Sequence, residues 1–208
     1  MNDEVLNGLA VFSDEERGMP LEIYLFTRTT AWGENPIGMR ALLEAGAKGE
    51  GDRIHSTTYM ASLIDFSDPG DIGVFLDEDQ IAAFEEKMNE QGYLDGCAMS
   101  NSFSMLRAND LIWAYVINNY LKGATPVPFD ILFWNSDSTN MPAKMHSYYL
   151  RNMYLHNRFR EPGGITLDNV PIDISMIGNS VYFISTREDH IALWQTTYKG
   201  AQLHAGEV

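Results

Sequence analysis

The sequence predicts an α/β protein whose alternating strands and helices are interrupted by a helical insertion. Three observations predict it. A strand–helix–strand alternation occupies about residues 20–64, helical periodicity takes over from Asp77 to about Lys122, and a buried-type strand returns at Val181–Ile184. Strands and helices joined by short links indicate a parallel sheet.

The first strand is read at residues 20–27, Pro-Leu-Glu-Ile-Tyr-Leu-Phe-Thr, a run of β-formers. Asn35-Pro36 then opens a helix, with Asn35 at the N-cap and Pro36 where a missing N–H costs nothing. That helix runs through Met39, Leu42 and Leu43 toward Gly49. Thr57–Ile64 is the next strand, ending in Asp65-Phe66-Ser67-Asp68-Pro69-Gly70. Asp77 with Gln80 forms a capping box, Ile81, Phe84 and Met88 share a face, and Gly92 stops the helix. A second helical region carries Leu111, Ile112, Tyr115, Val116 and Tyr120 and stops at Gly123. After the apolar run Ile131–Trp134 and a polar loop, Pro142 opens a helix bearing Met145, Tyr149, Met153 and Leu155.

Composition narrows the function classes. The chain has 208 residues, 45% hydrophobic, enough to bury one core. A net charge of -15 argues against nucleic-acid binding, where a basic footprint is expected. No apolar stretch approaches the ~20 residues that span a bilayer. The start, Met1-Asn2-Asp3-Glu4, is acidic and lacks a signal-peptide pattern, so the expected compartment is the cytoplasm. Cys97 is the one cysteine, which excludes an internal disulfide and argues against a cysteine zinc site. No metal and no cofactor are expected.

In open α/β sheets, functional groups gather beyond the carboxyl ends of strands. By that rule the candidate is Arg187-Glu188-Asp189-His190, after the last strand. Asp189 has the chemistry to orient and stabilise a histidine base, the acid's role in a nucleophile–His–acid triad. A plain charged turn is the competing reading.

Several segments resemble one family. Ser185-Thr186-Arg187-Glu188-Asp189-His190-Ile191 followed by Trp194 resembles the acid motif of polyhydroxyalkanoate synthases. Ser62–Gly70, Gly92–Gly96, Met105–Trp113, Phe133–Ser147 and Arg160–Leu167 match in order, so the resemblance covers about residues 50–205. It is nearest the class I type, which polymerises short-chain (R)-3-hydroxyacyl-CoA. The resemblance implies an α/β-hydrolase-like core, here incomplete, with an inserted helical cap at about 68–130. Residues 1–50 are divergent and 131–208 return to the core, all within one partial catalytic domain. It also implies a Cys–His–Asp triad in which Asp189 is the acid. His190 is the acid's neighbour in the motif, not the family's base. The implied partners are the hydroxyacyl-CoA and the polyester chain, at polyester granules. Arg107 matches a cap arginine that could face substrate; pairing with Asp110 is the equal alternative. Asp137 and His190 are further substrate-side candidates, with a turn role the plainer reading of Asp137.

The chain also departs from the family. The nucleophile elbow Gly-x-Cys-x-Gly-Gly should fall at Trp32–Gly38, where Asn35 or Pro36 takes the cysteine's place. Cys97 lies in the cap match, where the family needs no cysteine. The family's histidine belongs beyond Val208, and His204 is read as an exposed terminal histidine. Lys144, Arg151 and Arg158 recur every seven residues and are read as a solvated helix face rather than a phosphate stripe. The expectation is therefore a synthase-like acyltransferase domain, truncated or inactive alone. The alternative is a non-catalytic partner that pairs with a full-length synthase through the cap. A hydrolase or transferase using Thr29 or Cys97 ranks last. Uncovered apolar faces make a homo-oligomer or a synthase partner expected.

Overall fold

A computed structural model describes residues 9–12, 21–25, 47–49, 54–126, 139–167 and 169–208. The helix start expected at Asn35-Pro36, Thr29, the apolar run 131–134 and Asp137 lie outside the described residues. The chain divides into two compact units, one made of Met1–Gly73 with Asn152–Val208, the other of Val74–Arg151.

The first unit begins with β1 (Leu9–Phe12), a strand the sequence reading did not find, and β2 (Leu21–Leu25), inside the expected 20–27 run. They pair antiparallel, and β2 pairs parallel with β3 (Ile54–Met60). Gly49 has the left-handed backbone, φ 72°, that suits a helix stop. The strand expected at Thr57–Ile64 starts earlier and ends at Met60. Ala61 takes φ 48° and donates its N–H to the Ile184 carbonyl at 2.7 Å, which closes the ladder. Leu63, Ile64 and Phe66 are apolar because they enter the core, not because they belong to a strand.

In the second unit, α1 (Glu78–Gln91) has the ends its sequence signals. Asp77 Oδ1 accepts the Gln80 N–H at 2.8 Å, and Gly92, at φ 81°, donates to the Met88 carbonyl at 2.7 Å. β4 (Tyr93–Leu94) follows, then α2 (Gly96–Leu106), capped by Asp95. Helical structure continues through Asn109–Trp113 and Val116–Leu121 as widened turns with i→i+5 hydrogen bonds, and Gly123 ends it at φ 64°. β5 (Met141–Pro142) pairs with β4, and α3 (Ala143–Tyr149) opens after Pro142. The core here is Met88, Leu94 and Ala143, with Phe84, Ala98, Met99 and Met141 against them.

α3 runs on as a widened turn over Leu150–Leu155 and stops at Asn157, φ 51°. The chain is then back in the first unit. A short hairpin, β6 (Thr166–Leu167) and β7 (Val170–Pro171), precedes β8 (Ser180–Ile184) and α4 (Trp194–Ala201). β8 pairs parallel with β3, with Tyr59 opposite Phe183, so the described sheet has the order β1-β2-β3-β8. β2, β3 and β8 are parallel neighbours, as a parallel sheet requires, while most of the helix expected between β2 and β3 lies outside the described residues. Leu63, Ile64, Phe66, Phe159, Ile172 and Ile177 are at most 2% exposed in this unit. Each such side chain contributes on the order of 2 kcal/mol by leaving water.

Candidate functional site

β3 and β8 run parallel and end side by side, joined by the Ala61–Ile184 hydrogen bond. An open hollow of about 370 Å³ lies at this carboxyl edge, lined by Ala61, Thr186, Glu188, Asp189, His190, Ile191 and Ala192. This is where a parallel sheet concentrates functional groups, because loops leaving adjacent strands part there.

Asp189 is half-buried at the end of a turn closed by its own N–H on the Thr186 carbonyl at 3.3 Å. Its two oxygens are used unequally. Oδ1 accepts the N–H groups of Ile191 and Ala192, each at 2.9 Å. Among the described residues, Oδ2 accepts only the Thr186 hydroxyl, at 3.3 Å. One oxygen is therefore fixed by backbone donors, and the other keeps acceptor capacity for an incoming N–H. Among the described residues, no histidine is hydrogen-bonded to it. His190 lines the same hollow, so the structure brings these two candidates together.

Arg107 belongs to the second unit, where its Nε and Nη2 both donate to Asp110 Oδ2, at 3.1 and 2.7 Å. Asp137 lies outside the described residues, as does the elbow position. Cys97 is exposed at the start of α2, its N–H bonded to Asp95 Oδ1 at 2.7 Å. Among the described residues, no group of three or more His, Cys, Asp or Glu side chains could hold a metal ion.

The basic stripe does not form. The regular turns of α3 end at Tyr149 and the left-handed Asn157 separates Arg158 from that helix, so a seven-residue spacing no longer defines one face. Arg151 instead binds Glu85 at 2.7 Å and Glu78 at 2.6 Å. Hydrogen bonds from Arg151 and Ser147 hold the Glu85 carboxyl down at about 2.

His204 also departs from its reading as an exposed terminal residue. It is 9% exposed, packed on Tyr59 and Phe183 at centroid distances of 5.2 and 5.5 Å. Among the described residues neither ring nitrogen has a hydrogen-bond partner, and burial pushes its pKa down to about 4. The apolar character of β3 and β8 was visible in sequence, but nothing local announced that a terminal imidazole returns onto them.

Sequence reading also passed over Asp65 as a site residue. Its side chain is 3% exposed, and its Oδ2 accepts Arg160 Nη1 at 2.7 Å. Oδ1 accepts the Ser67 N–H at 2.8 Å and Asn157 Nδ2 at 3.0 Å. Burial acts to raise its pKa, but the bonds from Ser67 and Asn157 and the Arg160 charge together hold it below the usual carboxylate range. A carboxylate directly after an apolar run was the available signal; its partners lie far along the chain.

Fold and turn thus define a mixed α/β protein with a carboxylate poised beyond the ends of parallel strands. No protein-family model matches the chain. It is 49% identical over 156 residues to a Poly(3-hydroxyalkanoate) polymerase of Methylorubrum extorquens, covering 75% of this chain and 26% of that protein. It is 45% identical over 170 residues to Poly(3-hydroxyalkanoate) polymerase subunit PhaC of Rhizobium etli, covering 82% and 27%. The same subunit of Cupriavidus necator is 42% identical over 173 residues, covering 81% and 29%. Over that segment the chain is a relative of the poly(3-hydroxyalkanoate) polymerases, and it spans little more than a quarter of their length. Among the described residues, no helix is long and apolar enough to cross a membrane.

Proposed function

We propose that the chain carries the acid-bearing part of a polyhydroxyalkanoate synthase-type acyltransferase, built on an α/β-hydrolase-like core with a helical cap. The reaction is transfer of an (R)-3-hydroxyacyl unit from its coenzyme A thioester to a polyester chain, with release of coenzyme A. The observation that carries this reading is the asymmetric anchoring of Asp189, one oxygen fixed and one available beyond the β3–β8 edge. A carboxylate so held sets the tautomer and orientation of a histidine and stabilises the imidazolium formed when a thiol is deprotonated. The coenzyme A thioester is substrate, and the chemistry calls for no separate cofactor.

The 208-residue chain is proposed to be inactive by itself in that reaction. Asn35 or Pro36 stands where the resemblance puts the nucleophile, and neither side chain forms a thioester. The purified chain should release no coenzyme A from 3-hydroxybutyryl-CoA. Release that survives Cys97→Ala and vanishes in Asp189→Ala would overturn this. The acid role has its own test. The matched segment replaces its counterpart in the Cupriavidus necator polymerase, and polymerisation is compared with and without Asp189→Asn. A loss of roughly 10³–10⁴-fold is expected; full activity of the variant would remove Asp189 from the triad.

One observation favours a second reading, a non-catalytic partner of an intact synthase or a homo-oligomer. Met105, Leu111, Trp113, Tyr115, Ile117, Tyr120 and Leu121 are all exposed on the helical stretch of the second unit. Single exposed apolar residues are ordinary, but a run of large ones marks association. Such a chain would be found with the synthase at polyester granules. Failure to co-purify with a full-length synthase at micromolar concentration would end the partner reading.

A further inference from the structure

We infer that Asp65, Asn157 and Arg160 form a clamp that positions the Asp189 turn, and that they are positioning residues rather than a local fold support. The inference rests on the reading of Asp189 as the acid only for its functional meaning; its geometry stands independently.

The clamp is built around a buried charge. A carboxylate as enclosed as that of Asp65 is tolerable only when its oxygens are satisfied, and here three donors converge on it. Asn157 binds the chain at two successive residues. Its Nδ2 donates to Asp65 Oδ1, and its Oδ1 accepts the Phe66 N–H at 2.8 Å. It does so from the left-handed region, at φ 51° and ψ 34°, which Asn enters more readily than most residues. The Phe66 ring meets Tyr154 edge-on at 4.8 Å, and Lys199 Nζ donates to Ser67 Oγ at 2.9 Å. The start of the 65–70 segment is thus held from two later parts of the chain.

The far end of that segment sits on the acid turn. Gly70 is at φ 68°, and a Cβ there would lie 2.5 Å from the His190 carbonyl oxygen, so only glycine permits the approach. The Asp71 N–H donates to the same oxygen at 3.3 Å. That oxygen and the Ile191 N–H belong to one peptide unit, and the peptide is planar. One side of the plane is held by the segment that the clamp fixes. On the other side, its N–H is bound by Asp189 Oδ1. Tilting the plane at His190 O therefore moves the donor that orients the carboxylate. The path runs through rigid covalent geometry and named hydrogen bonds, not through general packing.

The test is amide hydrogen exchange at residue resolution on the full chain, comparing the wild type with Arg160→Lys, Arg160→Met and Asn157→Gly. Asn157→Gly keeps the left-handed backbone accessible while removing both side-chain bonds. Protection at Ile191 and Ala192 should fall about tenfold in Arg160→Met and Asn157→Gly and less in Arg160→Lys, with Thr58 and Phe183 in the sheet unchanged. Loss confined to Phe66 and Ser67 would show a clamp that fastens only its own loop. Equal loss at Ile191 and in the sheet, in every variant, would show a global stability element. Either result overturns the inference. Because exchange reads position and not turnover, it fails separately from the acid assignment.

Discussion

His204 shows how much a single side chain depends on what folds over it. Its ring is buried against Tyr59 and Phe183, with no hydrogen-bond partner for either nitrogen among the described residues, and its pKa falls to about 4. In the unfolded chain the same ring titrates near 6.5. Between those values the unfolded state binds more protons, so stability falls as pH drops through that window. The contribution lost is on the order of 3 kcal/mol at most. His146, pushed by burial to about 4 in the second unit, adds a slope of the same sign. Replacing His204 with Phe keeps an aromatic ring and removes the titration. Urea midpoints at pH 7 and pH 4.5 should therefore lie closer together in His204→Phe than in the wild type, without closing completely. An unchanged gap would show that the imidazole is not buried. Asp189 behaved differently: its place at a strand end was legible, because a charged turn after four β-formers is a local pattern. The unequal use of its oxygens was not, since that depends on the backbone path through Ile191 and Ala192.

At the scale of elements, legibility follows where the terminating forces come from. Both ends of α1 carry local chemistry, an Asp77 side chain on the Gln80 N–H and a left-handed Gly92. The sequence reading placed them correctly. Gly92→Ala should cost about 1 kcal/mol, since an added Cβ meets nothing within 4 Å and only the left-handed backbone resists it. Gly200→Ala should cost more, because its Cβ would lie 2.9 Å from Ile64 Cβ. Chemical denaturation of both variants checks the order, and a larger loss for Gly92→Ala would contradict it. The end of β3, and the extension of α3 to Arg158 that a basic stripe required, were misjudged for the opposite reason. β3 stops where Ala61 turns to bond Ile184, and α3 widens and breaks at an asparagine held by Asp65, partners far away in sequence.

At the scale of the whole molecule, a net charge of -15 acts against self-association while the exposed apolar run from Met105 to Leu121 favours it. Surface charge is screened beyond about 10 Å at 0.1 M salt, whereas burial of apolar surface is not. The proposed association should therefore strengthen with salt. Light scattering at low and high ionic strength checks this, and a monomer under both conditions would count against the association. The sequence by itself determined the α/β class, the ends of α1, the place of the Asp189 turn and the kinship with poly(3-hydroxyalkanoate) polymerases. Those rest on periodicity, capping chemistry and ordered motifs, all of which act over short stretches of chain. Only the tertiary structure decided that β1 joins the sheet, that His204 is buried, that the basic stripe is broken and that Asp65 is enclosed by Asn157 and Arg160. Each depends on contacts between residues distant along the chain, where burial and backbone geometry override what a local pattern can express.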